Sequence, residues 1–166
     1  MNGPRTLLIA RPRSDWSRQL SLQLGPAHGL TLTWTSPTIP AALDGLGTEV
    51  PDIVIVLQET PDQFSAGSIQ QLLTAWPLAR LVVCHGPWCN GDARNRDAWP
   101  LAATVPHTCV ENRLASEQRL GNGMGNALPW TAGRDEIAAA DFATTLSPPP
   151  TDFTFQIVSP DTTWGC

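Results

Sequence analysis

Lysine and tyrosine are absent from this chain of 166 residues, and all ten cationic side chains are arginines. Without lysine the chain cannot form a Walker-type phosphate loop, nor the Schiff base on which one class of enzymes depends. The formal charge of −5 and the isoelectric point near 5.0 also argue against a nucleic-acid-binding module, because such modules usually carry a basic face that neutralises phosphates. We expect a protein without a cofactor and without a nucleic-acid partner.

Long apolar runs are missing as well. The run from Leu7 to Ala10 has four residues, which is too short for the core of a signal peptide. No later stretch reaches the roughly 18 apolar residues that a membrane-spanning helix needs. We therefore expect a soluble cytoplasmic protein with no membrane partner. In the absence of an export signal, the four cysteines are predicted to be reduced thiols rather than a disulfide framework.

Short apolar segments alternate with helical patterns, which is typical of a parallel sheet covered by helices. Strands are predicted at 6–10, 30–34, 53–57, 81–84 and 102–105. The second alternates with period two, which suits an edge, whereas the third is apolar throughout, as expected of a central strand buried on both faces. The clearest helix runs from Ser65 to Trp76, since its apolar residues have the spacing of one helical face and Pro77 ends it.

The composition changes near the end of the chain. Residues 147–152 contain three consecutive prolines and are predicted to be a linker after a domain of residues 1–146. The segment Phe155 to Trp164 matches Leu7 to Trp16 at a constant offset of 148: both have a strand-like run, a proline and then a tryptophan four residues later. Residues 153–166 are therefore predicted to be a C-terminal strand or the truncated start of a second, similar domain, unless the match is a coincidence.

The segment PDIVIVLQETPD, at 51–62, carries a family resemblance. In this segment a Pro-Asp is followed by the apolar run Ile53 to Leu57 and then by Pro61. The pattern resembles the third strand and following loop of response-regulator receiver domains. As a pattern of strand–helix units, the resemblance covers about residues 5 to 120. It implies a doubly wound α/β fold with a mainly parallel five-stranded sheet of order 2-1-3-4-5, flanked by helices.

The residues that carry out the chemistry of that family have no counterpart here. The phosphoacceptor aspartate lies four residues before the loop proline in receivers, and this position is Leu57. The acidic pair that binds magnesium is replaced by Arg11-Pro12, Glu59 is displaced into the loop, and the receiver lysine is missing. Without these groups nothing binds magnesium or neutralises a phosphoryl transition state. The resemblance thus implies a degenerate receiver that is not an enzyme and that acts in protein interaction or regulation.

The loop after the fourth strand, residues 84–100, is a second candidate region, because it follows a strand at the edge of the sheet where α/β proteins bind ligands. It contains two cysteines, one histidine, two tryptophans, two arginines and two aspartates in seventeen residues. The candidate ligand- or partner-binding residues are His85, Trp88, Arg94, Arg96 and Trp99. On this hypothesis the chain is a small-molecule-binding domain or an enzyme. The alternative, which we favour, is that the tryptophans cap the core and the arginines pair with Asp92 and Asp97.

Cysteine and histidine side chains in this part of the sequence have the chemistry of zinc ligands. They are Cys84, His85, Cys89, His107 and Cys109. Their spacing is unlike that of common zinc fingers, because no Cys-x-x-Cys occurs, and a cysteine that ends an apolar strand behaves as a small hydrophobic residue. A thiol nucleophile with a histidine base is a further alternative. We expect no bound metal. The expected partner is another protein, and a second copy of this chain is one candidate.

Overall fold

The computed structural model describes residues 4–24, 32–89, 98–111 and 113–115. Strands and helices alternate in it: β1 Thr6–Ile9, α1 Asp15–Gln23, β2 Leu32–Ser36, α2 Ile39–Leu46, β3 Ile53–Gln58, α3 Ala66–Ala75, β4 Arg80–His85 and β5 Ala103–Pro106. Short 3-10 turns follow β4 at Pro87–Cys89 and β5 at His107–Cys109. The predicted linker, the segment 153–166, Arg94 and Arg96 lie outside the described residues.

The five strands form one sheet in which each neighbouring pair is parallel, in the order β2-β1-β3-β4-β5. This confirms the doubly wound α/β fold that the sequence predicts. In the register of the sheet Leu8 lies beside Ile55, and Ile55 lies beside Val82. The winding direction of the chain reverses between β1 and β3. As predicted, β2 is an edge strand, and half-buried and exposed side chains alternate along it until it ends at Ser36.

The core has two layers, one on each face of the sheet. β3 is buried at every position, as its unbroken apolar run predicts. Successive side chains of a strand point to opposite faces, so Ile55 and Leu57 pack in a cluster with Leu20 of α1. Val54 and Val56 belong to the other cluster, which contains residues of α2 and α3. Each such buried side chain contributes about 1.5–3 kcal/mol to stability.

The helices begin at polar residues that lie near the carboxyl edge of the sheet. Ser65 caps α3 by accepting a hydrogen bond from the backbone nitrogen of Ser68 at 3.1 Å. Thr38 caps α2 in the same way, from Ala41 at 3.2 Å. Ser14 occupies the N-cap of α1 but makes no side-chain capping bond. No helix in the described part of the chain has both the length and the apolar content needed to cross a membrane.

Candidate functional site

The carboxyl ends of β1, β2 and β3 surround a cavity of about 470 Å³. It lies beside the point where the winding of the sheet reverses, which is where open α/β sheets bind ligands. The lining residues are Arg11, Arg13, Pro37, Thr38, Ile39, Pro40, Glu59, Thr60, Gln63, Phe64, Ser65 and Ser68. They come from the loop after β1, the start of α2, the loop after β3 and the first turn of α3.

Glu59 reaches from the end of β3 to the beginning of α1. Its Oε1 accepts hydrogen bonds from the backbone nitrogen of Arg13 at 2.7 Å and from Ser17 Oγ at 2.5 Å. Its Oε2 accepts a hydrogen bond from the backbone nitrogen of Ser14 at 3.1 Å. The carboxylate therefore binds the two backbone N–H groups that immediately precede α1, at the end of the helix where a negative charge is favoured.

Opposing effects act on the pKa of Glu59. Burial, the largest single effect, raises the pKa, whereas the hydrogen bonds from Ser17, Arg13 and Ser14 lower it and together outweigh burial. The pKa therefore lies below the ordinary value of a glutamate carboxyl, and the side chain is ionised at neutral pH. Protonating this carboxylate would weaken the bonds that hold the start of α1.

Leu57 lies inside β3, so it does not belong to the loop that follows. Its side chain is 1% exposed and packs in the same apolar cluster as Leu20 and Cys84. At the position that the receiver resemblance assigns to the phosphoacceptor, the protein thus has a core side chain. The nearest carboxylate along the chain, that of Glu59, is turned toward α1.

Two glutamines, which the sequence analysis did not single out, hold the loop after β3. Gln63 Oε1 accepts a hydrogen bond from the backbone nitrogen of Glu59 at 2.7 Å, and its Nε2 donates to the backbone oxygen of Leu57 at 3.2 Å. Gln58 Oε1 accepts a hydrogen bond from Trp99 Nε1 at 2.6 Å. A glutamine at the end of a buried apolar strand needs a hydrogen-bond partner, which is the signal that would have drawn attention to Gln58.

β4 ends close to the same loop. The backbone nitrogen of Gly86 donates to the backbone oxygen of Gln58 at 2.8 Å. A Cβ atom on Gly86 would lie 2.7 Å from Cζ2 of Trp16 and 3.1 Å from the backbone oxygen of Glu59. The Trp16 ring also contacts the ring of His107, with 5.1 Å between centroids. This close approach of β3, β4 and α1 leaves room for glycine alone.

The predicted residues of the loop after β4 lie in different environments. His85 is half-buried at the end of β4, Trp88 is 80% exposed and Trp99 is 3% exposed. The ring of Trp99 packs against that of Phe64, with 5.6 Å between centroids, so Trp99 belongs to the core. The expectation that Trp88 also caps the core is wrong, because its neighbour Cys89 takes the buried position in that turn. Residues 90–97, which include Arg94 and Arg96, lie outside the described part.

The three cysteines in the described part of the chain lie in different environments. Cys84 and Cys89 are buried, and Cys109 is exposed. Burial raises the pKa of the Cys84 thiol, which keeps this thiol protonated and unreactive at neutral pH. Within the described ranges, no three side chains of histidine, cysteine, aspartate or glutamate lie together in a way that would hold a metal ion.

Comparisons with protein-family models and with curated proteins find no match. Among solved structures, the chain is similar to an adenylate cyclase from Rhodopirellula baltica, with 16% sequence identity and a TM-score of 0.47. The similarity covers 74% of this chain and 94% of that one. A similarity of this size carries no conclusion about activity, and the doubly wound fold follows from the strand order and the parallel register alone.

Proposed function

We propose that this domain is a receiver-like module that performs no phosphotransfer and acts in protein interaction or regulation. The observation that carries the proposal is the arrangement at the end of β3. Leu57 fills the acceptor position with a buried apolar side chain. Glu59, the nearest carboxylate, is held by hydrogen bonds at the start of α1.

Transfer of a phosphoryl group to a carboxylate needs a nucleophilic oxygen and a divalent cation that neutralises charge in the transition state. Leu57 has no nucleophilic oxygen. Magnesium is usually bound through carboxylates, whereas the loop after β1 brings Arg11 and Arg13 to this edge of the sheet. Their guanidinium groups repel a divalent cation. Leu57, Arg11 and Arg13 therefore meet neither requirement of the reaction.

The fixed geometry of the loop supports a binding role that needs no chemical activation. Gln63 ties the first residues of the loop back to β3, and Gln58 joins the end of β3 to Trp99. We infer that a partner recognises a surface that is present at all times, since the Glu59 carboxylate is also engaged, by Arg13, Ser14 and Ser17.

The proposal can be tested with acetyl phosphate and with beryllofluoride, each in the presence and in the absence of magnesium. Intact-protein mass spectrometry is expected to show no phosphorylated species, and amide NMR spectra are expected to show no magnesium-dependent change at residues 57–60. A phosphorylated species, or a magnesium-dependent change at these residues, would overturn the proposal. The Glu59→Gln variant then serves as a control, because loss of the signal in it would identify Glu59 as the acceptor.

The alternative, ligand binding or catalysis through the loop after β4, stays a hypothesis. The described residues of that loop place Trp99 in the core and leave Trp88 exposed, so these two tryptophans do not form one binding surface. Arg94 and Arg96 lie outside the described residues, so their part in this hypothesis stays untested. We therefore favour the regulatory module.

A further inference from the structure

We propose that the cavity at the carboxyl ends of β1, β2 and β3 binds a nucleotide, with Arg11 and Arg13 as the residues that contact its phosphate group. The proposal goes beyond the regulatory role argued above and does not depend on it. It is based on the charge of the cavity, on the groups that line it and on its size.

The cavity is positively charged in an acidic protein. Its charged lining residues are two arginines and one glutamate, which gives a net charge of +1 in a chain whose formal charge is −5. Arg5 and Arg18 are ion-paired with neighbouring carboxylates. Within the described part of the chain, Arg11 and Arg13 have no such pair, and both are exposed. Two guanidinium groups at one cavity therefore remain available to an anion.

The carboxylate of Glu59 does not cancel this attraction. Its two oxygens accept hydrogen bonds from the backbone nitrogens of Arg13 and Ser14 and from the Ser17 hydroxyl. These neutral donors belong to the start of α1, and the charge of the carboxylate is already counted in the net charge of +1. The guanidinium groups of Arg11 and Arg13 make no ion pair with it.

Phosphate is an anion that suits paired arginines well. A guanidinium group presents parallel N–H donors whose geometry matches phosphate oxygens, and such charge-assisted bonds are stronger than neutral ones. The first turns of α2 and α3 also open into the cavity, because Thr38 and Ser65 line it, and the positive ends of these helices add to the attraction. Binding of this kind needs neither lysine nor a divalent cation.

The size and the apolar lining indicate more than a bare phosphate ion. A volume of about 470 Å³ falls within the range of roughly 300–1,000 Å³ that small-molecule sites occupy. Pro37 and Phe64 supply accessible apolar walls, and the Phe64 ring is held in place by its edge contact with Trp99. Thr60 adds a hydroxyl group. A planar base against the apolar wall, with a phosphate at the arginines, fits this arrangement.

The experiment titrates the full chain with AMP, GMP, CMP and UMP, and separately with the matching uncharged nucleosides, in the presence of EDTA. Amide NMR spectra locate the site, and calorimetry gives the dissociation constant. We expect saturable binding of at least one nucleotide, with shifts confined to residues that line the cavity. The uncharged nucleoside should bind at least about tenfold more weakly, because the phosphate contacts are lost.

The double substitution Arg11→Gln and Arg13→Gln should weaken nucleotide binding by about tenfold or more. The fold should be unaffected, since both side chains are exposed; a circular dichroism melt checks this. Arg5→Gln makes the same type of charge change at the opposite end of β1, where Arg5 pairs with Glu49 and Asp52, and should leave the affinity unchanged.

Three results would overturn the proposal. They are no saturable binding of any of the four nucleotides, shifts that map away from the cavity, and an equal loss of affinity in Arg5→Gln and in the double variant. None of them bears on the absence of phosphotransfer, because that is measured with magnesium and acetyl phosphate at residues 57–60. The two proposals can therefore fail separately.

Discussion

The carboxylate of Glu59, at the end of β3, lies 2.5 Å from the hydroxyl of Ser17 in the first turn of α1. The two residues are 42 positions apart in the chain, and both are buried. A charged hydrogen bond between them joins the central strand to the first helix. Glu59, which lies two residues beyond the acceptor position of the receiver resemblance, thus has a structural role that joins β3 to α1.

We expect Glu59→Gln to lower the free energy of unfolding by about 1.5–3 kcal/mol, because the charge-assisted hydrogen bonds become neutral and one amide nitrogen faces a backbone donor. Urea denaturation measures the change. Glu49→Gln is the matched control, since Glu49 is exposed and pairs with Arg5 at 3.6 Å, and an exposed pair contributes less than about 1 kcal/mol. Similar losses in the two variants would contradict a special role for Glu59.

The lowered pKa of Glu59 predicts a dependence of stability on pH. The pKa is lower in the folded state than in the unfolded chain, so this contribution is complete above the unfolded pKa and is lost as the pH falls through the folded pKa. The difference in unfolding free energy between the wild type and Glu59→Gln should therefore be largest near neutral pH and shrink in acid. Urea denaturation of both proteins across pH ~3 to ~7 tests this. A difference that stays constant with pH would show that Glu59 does not titrate in this way.

Two glycine substitutions should have opposite effects. In Gly86→Ala the new Cβ would lie 2.7 Å from the Trp16 ring and 3.2 Å from Cα of Glu59, so we expect a loss of about 1–3 kcal/mol from overpacking. In Gly45→Ala the Cβ would meet nothing within 4 Å, and alanine in the α2 helix should stabilise by about 0.5–1 kcal/mol. Thermal unfolding of both variants gives the comparison. If Gly86→Ala left the stability unchanged, the Trp16 ring would have to lie farther from Gly86 than described.

The two tryptophans of the loop after β4 should respond differently to the same change. Trp99→Phe removes the donor of the 2.6 Å bond to Gln58 and should cost about 1–3 kcal/mol, because this side chain is buried. Trp88→Phe should change the free energy of unfolding by less than about 0.5 kcal/mol, since Trp88 is 80% exposed. Guanidinium denaturation of both variants decides the matter, and the reverse ranking would show that Trp88 and not Trp99 supports the core.

Features set by local pattern could be predicted from the sequence. The run Ile53 to Leu57 predicts a strand buried on both faces, and β3 is buried throughout. The apolar face, Ser65 and Pro77 predict α3 within one residue at each end. The alternation of five short strands with helices predicts a parallel sheet, and the receiver resemblance implies the strand order that the structure has. Periodicity and capping depend on neighbouring residues, which is why they can be read from one sequence.

Features that depend on distant residues could not be predicted in this way. Ser14 is a good capping residue by type, yet its side chain makes no capping bond and its backbone nitrogen donates to Glu59, because the end of β3 brings a carboxylate to that point. The cavity lies where loops from three parts of the chain meet, and no local sequence motif predicts it. Trp88 and Trp99 look alike in sequence, yet Trp99 is buried where it bonds to Gln58 and packs on Phe64, whereas Trp88 is exposed.

The parallel arrangement of the strands has a consequence for the order in which the protein folds. Parallel neighbours need crossover connections, so no pair in this sheet can form as a hairpin, and the entropy of closing each loop opposes every pairing. β3 is the common neighbour of β1 and β4. Until β3 has paired with both β1 and β4, the β1–β2 pair and the β4–β5 pair are not joined in one sheet. β3, with its apolar run Ile53 to Leu57, is therefore the strand whose docking we expect to limit the folding rate.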